Sequence, residues 1–379
     1  MHENQVRWGI LSTASIAYKT WQAIQLSGNS VLTAVASRDI SRSQSFIDKC
    51  QSTDPYATKP KAYGSYEEIL ADKDIDAVYI PLPTGLRKEW VIRAAEAGKH
   101  IVCEKPCAIS LDDLKEMVAA CHQNNVQFMD GVMFMHSNRL QKIREVLDDD
   151  KSVGKIRRIT SQQSYAAPED FLQNNIRLQS NLEPQGSLGD LGWYNIRFAL
   201  WAMNWELPQS VTAQFLSVYE REDSPDPVPT EFTGELFFAN GVSSSFYCSF
   251  ITENQQWANI SGTKGYLHID DFVLPFHAPQ TTFEHYQSEF VIKDCDCDMH
   301  KNNTSISVAE HGNSAPDSQE SHLYRNFSTQ ILSGKLNLLW PQIALQTQQV
   351  SDACMQSALN KGQPIHPNPR TVLKSLGQD

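Results

Sequence analysis

Five short, nearly continuous apolar runs punctuate the first part of the chain: Val6–Leu11, Ser30–Ser37, Ala77–Ile80, His100–Cys103 and Gln127–Met133. Runs of this length without polar alternation are what strands covered on both faces require. Between them the spacing turns helical. Leu86, Trp90, Ala94 and Ala97 recur near i, i+4, i+8 and i+11, one face of a helix that Gly98 can terminate. Ser65-Tyr66-Glu67-Glu68 has capping-box spacing, and Ser110 is placed to cap a helix running to about Asn124. This alternation predicts an α/β Rossmann domain with a doubly wound parallel sheet.

After about residue 150 longer β-rich stretches take over: Lys155–Tyr165, Ser210–Glu220, Glu231–Ala239, Val242–Ile251 and Trp257–Ile269. Several alternate with a period of two, and Asn240-Gly241 between two of them is a hairpin signal. Helices are predicted at about Leu191–Met203, Gln319–Leu332 and Pro341–Leu359, while the polar stretch Cys295–Ser318 reads as a mobile, irregular loop. The second part is therefore expected to be α+β with a large, mostly antiparallel open sheet. A chain of 379 residues exceeds what one core supports, so two domains are expected, 1–134 and 135–379.

Composition narrows the function. The 41% hydrophobic content supports sizeable cores. With 32 basic and 44 acidic residues the net charge is −12, which argues against nucleic acid and against a polybasic membrane contact. No apolar window approaches a membrane span. The start, Met1-His2-Glu3-Asn4-Gln5, lacks the layout of a secretion signal, and eight cysteines are too sparse for a disulfide scaffold. The expectation is a reduced, cytoplasmic protein. Cys295, Cys297 and His300 fit no zinc spacing, so no metal is expected.

The first strand leads through Gly9-Ile-Leu-Ser12-Thr13-Ala14-Ser15-Ile16-Ala17 into a helix. A dinucleotide pyrophosphate sits at such a helix N-terminus. Only Ala17 matches the Gly-x-Gly-x-x-Gly/Ala fingerprint literally, so an ordinary strand–turn–helix is the alternative. At the end of the second strand stand Ser37 and Arg38, where an NAD site usually has an acid. A hydroxyl and a guanidinium suit a 2′-phosphate, hence NADP, with NAD as the alternative cofactor and a solvated Arg38 as the plainer reading.

Two further segments lie at predicted carboxyl ends of strands: Pro81-Leu82-Pro83-Thr84 with Arg87, and Glu104-Lys105-Pro106. Together with Gly9–Ala17, Gly186-Ser-Leu-Gly-Asp190-Leu-Gly192-Trp193-Tyr194 and Gly262-Thr-Lys-Gly265, they resemble the glucose–fructose oxidoreductase / inositol dehydrogenase (Gfo/Idh/MocA) family across nearly the whole chain. The branch most similar contains dihydrodiol dehydrogenases and NADP-dependent D-xylose dehydrogenases. The resemblance implies hydride transfer between NADP and a hydroxyl or carbonyl carbon of a sugar or cyclic diol. It also implies self-association through the second sheet, as a homodimer or a higher homo-oligomer. Lys105 matches the family's active-site lysine, and Asp190 and Tyr194 match its Asp-x-Gly-x-His/Tyr element. Cofactor contacts are expected from Gly9, Ser12, Thr13, Ala14, Ile16, Ser37, Arg38, Leu82, Pro83, Thr84, Arg87, Glu104 and Lys105. Arg87 stands where a histidine is frequent, and Gln185 where a glycine is common.

The chemistry can be argued from the residues themselves. Taking a proton from an alcohol needs a base, and a free phenol with a pKa of about 10 is a poor one. A lysine ammonium within about 4–6 Å favours the phenolate. Tyr194 is thus expected as the acid/base, Lys105 as its electrostatic partner and Asp190 as the orienting carboxylate. The plainer alternatives are a helix cap for Asp190, a buried aromatic for Tyr194 and a surface lysine for Lys105. His136, Arg177 and Trp193 are expected substrate contacts, with structural roles as the alternative for His136 and Arg177. Two other functions compete: a catalytically silent NADP(H)-binding sensor, and a scaffold that binds no nicotinamide.

Overall fold

The computed structural model describes residues 5–368, so the polar start Met1–Asn4 lies outside the described residues. The first sheet is built from β1 (Val6–Leu11), β2 (Ser30–Ala36), β3 (Lys61–Tyr63), β4 (Ala77–Ile80), β5 (His100–Cys103) and β6 (Phe128–Asp130). All its pairs are parallel, in the order β3-β2-β1-β4-β5-β6. The chain winds outward in both directions from β1 and β4, which makes the carboxyl ends of these two strands the switch point where such sheets bind ligands. The connecting helices are α1 (Ile16–Leu26), α2 (Ile40–Thr53), α3 (Tyr66–Ala71), α4 (Thr84–Glu96) and α5 (Leu111–Gln123). Ser65 accepts from the Glu68 N–H at 3.2 Å and Ser110 from the Asp113 N–H at 3.2 Å, the two caps read from the sequence. The last predicted strand is shorter than expected. After Asp130 the chain leaves the sheet and turns through a 3-10 segment, Met133–His136, toward the second sheet.

The remaining elements are α6 (Asn138–Asp148), β7 (Ile156–Ala166), α7 (Glu169–Asn174), α8 (Trp193–Ala202), β8 (Ser210–Tyr219), β9 (Val228–Phe237), β10 (Ser243–Ser249), β11 (Ile251–Gly262), β12 (Tyr266–Ile269), β13 (Thr281–Tyr286), β14 (Glu289–Lys293), β15 (Asp296–His300), β16 (Asn303–Val308), α9 (Gln319–Leu332) and α10 (Leu339–Leu359). Eight of these strands form one sheet, β16-β13-β12-β11-β7-β10-β9-β8, antiparallel except between β7 and β10. Helices α8 and α10 cover one face, burying Ile196, Leu200 and Val350 against Phe232 and Phe246.

Two expectations change here. The run Trp257–Ile269 is two strands, broken by Gly262-Thr263-Lys264-Gly265. A Cβ on Gly262 would lie 2.3 Å from the Val153 carbonyl oxygen, and one on Gly265 2.4 Å from that of Ser152, so both glycines are needed for this close approach. The stretch Cys295–Ser318, read as a loop, contains β15 and β16 and the start of the chain's approach to α9. These are an exposed two-stranded ribbon and an edge strand. Neither has a fully buried face, so neither carries the apolar periodicity that announces a strand.

Helix α9 returns from the end of the chain to cover the first sheet. Tyr324 meets Trp8 edge-on at 5.1 Å, and the Trp8 indole N–H donates to Ser328 Oγ at 3.2 Å. Phe327 packs in the same core as Trp8 and Trp21. Among the described residues no helix is long and apolar enough to cross a membrane.

Candidate active site

A cleft of about 580 Å³ opens over the carboxyl ends of β4 and β5 and the N-terminus of α1. Beyond β1, Ser12 takes a positive φ of 147° and its hydroxyl accepts from the Ala14 N–H at 3.1 Å. Ala14, Ser15 and Ile16 then line the cleft, and no side chain caps α1. The Ala17 and Tyr18 N–H groups turn back to the Ala14 and Ser15 carbonyls at 2.9 and 3.2 Å, while those of Ser15 and Ile16 donate to no described residue and can meet an anion. Gly9 is not part of this turn. It lies inside β1, where a Cβ would meet Ile69 Cδ1 at 2.9 Å, so its smallness serves the packing of α3.

At the end of β2 the Ser37 hydroxyl is committed locally: it donates to the Asp39 carbonyl at 2.6 Å and accepts from Ser43 Oγ at 3.1 Å. The Asp39 carboxylate caps α2 by accepting from the Ser41 N–H at 2.8 Å. Arg38 is exposed and makes no hydrogen bond within the described residues, which leaves its guanidinium free for a ligand.

Beyond β4, Leu82 and Pro83 line the cleft and lead into α4. Arg87, on the first turn of α4, is 5% exposed. Its Nε donates to the Leu82 carbonyl at 2.6 Å, and its Nη1 to Thr84 Oγ1 at 3.0 Å and to the Pro106 carbonyl. The guanidinium thus braces the two loops that end β4 and β5 against each other. Glu183 reaches the same place from the other side, accepting from the Thr84 N–H at 3.0 Å and the Thr84 hydroxyl at 2.6 Å.

Glu104 closes β5. Its carboxylate accepts from the Tyr79 hydroxyl at 2.6 Å and from the Lys105 N–H at 3.1 Å. Lys105 Nζ donates to Asp190 Oδ1 at 2.7 Å and to the Asp190 carbonyl at 2.6 Å, and lies 4.5 Å from the centre of the Tyr194 ring. Asp190 Oδ2 pairs with Arg177 Nε at 2.8 Å, so one carboxylate joins two cations. A π-turn, Leu188–Gly192, runs into α8 and carries Asp190. Gly189 lets it approach β5, because a Cβ there would lie 3.2 Å from Pro106 Cγ. Insertions of this kind are frequent at functional sites.

Burial opposes ionisation of Asp190, but Arg177 and Lys105 outweigh it and hold the carboxyl well below its usual range. Burial likewise opposes the charge on Lys105, and Asp190 more than restores it, so the ammonium is held firmly protonated. For Tyr194 the balance differs from expectation. Burial, reinforced by Glu104 and Asp190, outweighs Lys105 and leaves the phenol above its ordinary pKa. The tyrosine is a neutral phenol at neutral pH.

Two of the expected substrate contacts lie elsewhere. Trp193 is 0% exposed, with its indole N–H directed at Asp130 Oδ2 at 3.4 Å, because it is the first residue of α8 and points into the core while Tyr194 faces the cleft. His136 borders a different cavity. Arg177 does line the cleft. The sequence reading missed Gln163, Tyr165 and Glu183, which line it too. Gln163 and Tyr165 continue the inward face of β7 begun by Ile159 and Ser161; a polar residue at a core-facing register was the available signal.

Family models agree with this layout. The GFO/IDH/MocA oxidoreductase family model, an NAD-binding Rossmann fold, matches residues 6–132, and the GFO/IDH/MocA C-terminal domain matches 140–268. D-xylose 1-dehydrogenase (NADP(+)) 2 of Haloferax volcanii is 32% identical over 270 residues, 69% of this chain and 75% of that protein. Trans-1,2-dihydrobenzene-1,2-diol dehydrogenase of Bos taurus is 29% identical over 268 residues, 70% and 74% of the two chains. Among solved structures, KijD10, a 3-ketoreductase from Actinomadura kijaniata in complex with NADP and TDP-benzene, superposes with a TM-score of 0.77 at 23% identity, covering 93% of this chain and 98% of its own. Aldose–aldose oxidoreductase from Caulobacter crescentus gives 0.78 at 20% identity over 96% and 99%.

Proposed function

Because the chain belongs to the GFO/IDH/MocA oxidoreductase family, we propose that it transfers a hydride between NADP and a hydroxyl or carbonyl carbon of a sugar or cyclic diol, with Tyr194 moving the proton. The observation that carries this reading is the buried Lys105–Asp190–Arg177 array beside Tyr194, facing the uncapped start of α1 across one cleft. The residues fit NADP: free N–H groups at α1 for the pyrophosphate, Ser12 and Thr13 beside them, and Arg38 exposed for the 2′-phosphate. NADP is also the cofactor named for the Haloferax volcanii relative. When bound, the nicotinamide supplies or accepts the hydride.

In reduction, the Tyr194 phenol donates its proton to the carbonyl oxygen as that oxygen gains charge. The Lys105 ammonium stabilises the phenolate left behind, and Asp190 keeps Lys105 charged and in place. Oxidation runs the same proton backwards and needs the phenolate, which burial disfavours. At neutral pH the site is set for reduction.

In this reading residues 1–134 hold the cofactor, while 135–379 shape the substrate wall and carry a self-association face. That face is the uncovered side of the eight-stranded sheet, where Arg158 of β7 reaches Glu235 of β9 at 2.5 Å. Eight cysteines without a disulfide fit a reducing, cytoplasmic setting. The test is NADPH oxidation with a panel of keto-sugars, aldoses and cyclic diols. Turnover with one of them supports the reading. Tight NADPH binding with no turnover across the panel overturns it in favour of a sensor.

A further inference from the structure

A second cavity, of about 540 Å³, lies between the turn after β6, α8, α9 and the start of α10, and shares no lining residue with the catalytic cleft. Its volume is that of a small-molecule site. Its full charges are already used. Arg197 is paired with Asp130 through both terminal nitrogens, its Nε donates to Thr347 Oγ1 at 2.7 Å, and the Trp193 indole adds a further donor to Asp130. His136 carries no charge at neutral pH, since burial pushes its imidazole down to about 3. The Asn326 amide donates to His136 Nδ1 at 3.1 Å, which places the ring proton on Nε2.

The walls are aromatic: Trp201, Trp205 and Trp340. Trp205 and the preceding Asn204 both have left-handed backbones, with φ of 66° and 51°. An aromatic side chain rarely adopts this conformation, and such strain persists where surrounding bonds hold it. Here the Trp205 N–H donates to the Leu200 carbonyl at 2.7 Å and its carbonyl accepts from Gln346 Nε2 at 3.1 Å. At the rim, Asn326 Oδ1 and Gln330 Oε1 accept no hydrogen bond from the described residues although their amide nitrogens are engaged.

We propose that this cavity is a binding site for an uncharged monosaccharide, separate from the catalytic cleft. Indole faces cover the C–H faces of a pyranose, while the His136 N–H and the Asn326 and Gln330 carbonyls take its hydroxyls. An ionic ligand finds no unpaired counter-charge here and meets a desolvation cost without return. The inference stands on this cavity's own lining, whatever molecule the cleft turns over. An occupant would also border Arg197, three residues beyond Tyr194 on the same helix, and Asp130, which holds Trp193 next to it.

The test uses the full chain and ligand-observed NMR with methyl β-D-glucopyranoside, which has no free anomeric hydroxyl, and with glucuronate as the charged control. The glucoside is expected to bind the Lys105→Met variant as well as the unaltered protein, and to bind Trp340→Ala about tenfold more weakly. Asn326→Ala, at an exposed position, is expected to weaken it in the same direction and guards against a Trp340 variant that fails to fold. Glucuronate is expected to bind at least about tenfold more weakly than the glucoside. Loss of glucoside binding in Lys105→Met with retention in Asn326→Ala and Trp340→Ala assigns it to the cleft and overturns the proposal. Equal binding of glucuronate, or no glucoside binding at tens of millimolar, overturns it as well. Failure of the NADPH turnover panel leaves these outcomes untouched, so the two readings fail separately.

Discussion

Lys105 holds Asp190 twice, once at the carboxylate (2.7 Å) and once at the backbone carbonyl (2.6 Å), so it fixes the π-turn as well as the charge. Removing either partner should therefore damage geometry and electrostatics together. Lys105→Met is expected to lower kcat by roughly 10²–10⁴, the range for losing a charged transition-state partner. Asp190→Asn leaves Lys105 and Arg177 facing one another without a carboxylate and is expected to cost a similar factor. Steady-state kinetics on the substrate found by the panel reads both.

Tyr194 gives the pH dependence a sign. Its pKa is raised by burial, so the phenol persists across neutral pH. Reduction is expected to stay flat from pH 6 to 9, and oxidation to climb about tenfold per pH unit over that interval. Tyr194→Phe should abolish the slope along with most of the rate. A flat oxidation profile in the unaltered enzyme would remove Tyr194 from the proton path.

Glu183 ties the segment before Asp190 to the start of α4 through both polar atoms of Thr84. Glu183→Ala is expected to lower stability by about 0.5–2 kcal/mol, the cost of a lost helix cap. Because Leu82 and Pro83, just before Thr84, line the cleft and are expected to contact the cofactor, the KM for NADPH should rise more than kcat falls. Glu183→Gln retains an acceptor and should recover most of both, as thermal melting and NADPH titration will show.

In the proposed reading, Arg38 is expected to decide between nicotinamides. With Asp39 engaged as the cap of α2, no carboxylate stands ready for a ribose hydroxyl. Arg38→Ala is expected to weaken NADPH by about 1.5–3 kcal/mol, the contribution of a hydrogen bond to a charged group, while NADH changes little. Fluorescence titration with both cofactors measures the difference.

Both sheets, the caps at Ser65 and Ser110, and the Lys105–Asp190–Tyr194 grouping were legible in the sequence because each rests on local periodicity or on motifs of fixed spacing. What failed depends on direction rather than position. Arg87, expected as a cofactor contact, does line the cleft, but its guanidinium is engaged by two backbone carbonyls, which spacing does not reveal. Trp193 and Tyr194 are neighbours on one helix, and only their register decides which meets the cleft. Gly9 stands in a phosphate-loop motif but serves the packing of Ile69. The pKa of Tyr194 was misjudged in direction because burial, which no spacing reveals, exceeds the effect of the nearby ammonium. Glu183 was missed because its partner, Thr84, is distant in sequence, and Gln163 because only the register of β7 turns it inward.

The return of α9 to the first sheet has a consequence for synthesis. Trp8 emerges early, but Tyr324 and Phe327, which cover it, are made some 300 residues later. At ribosomal rates that interval is on the order of tens of seconds. Throughout it the nascent nucleotide-binding half presents an uncovered aromatic surface, so a chaperone able to shield it should raise the yield of folded protein. A fragment ending near residue 135 should aggregate unless α9 is supplied as a separate peptide.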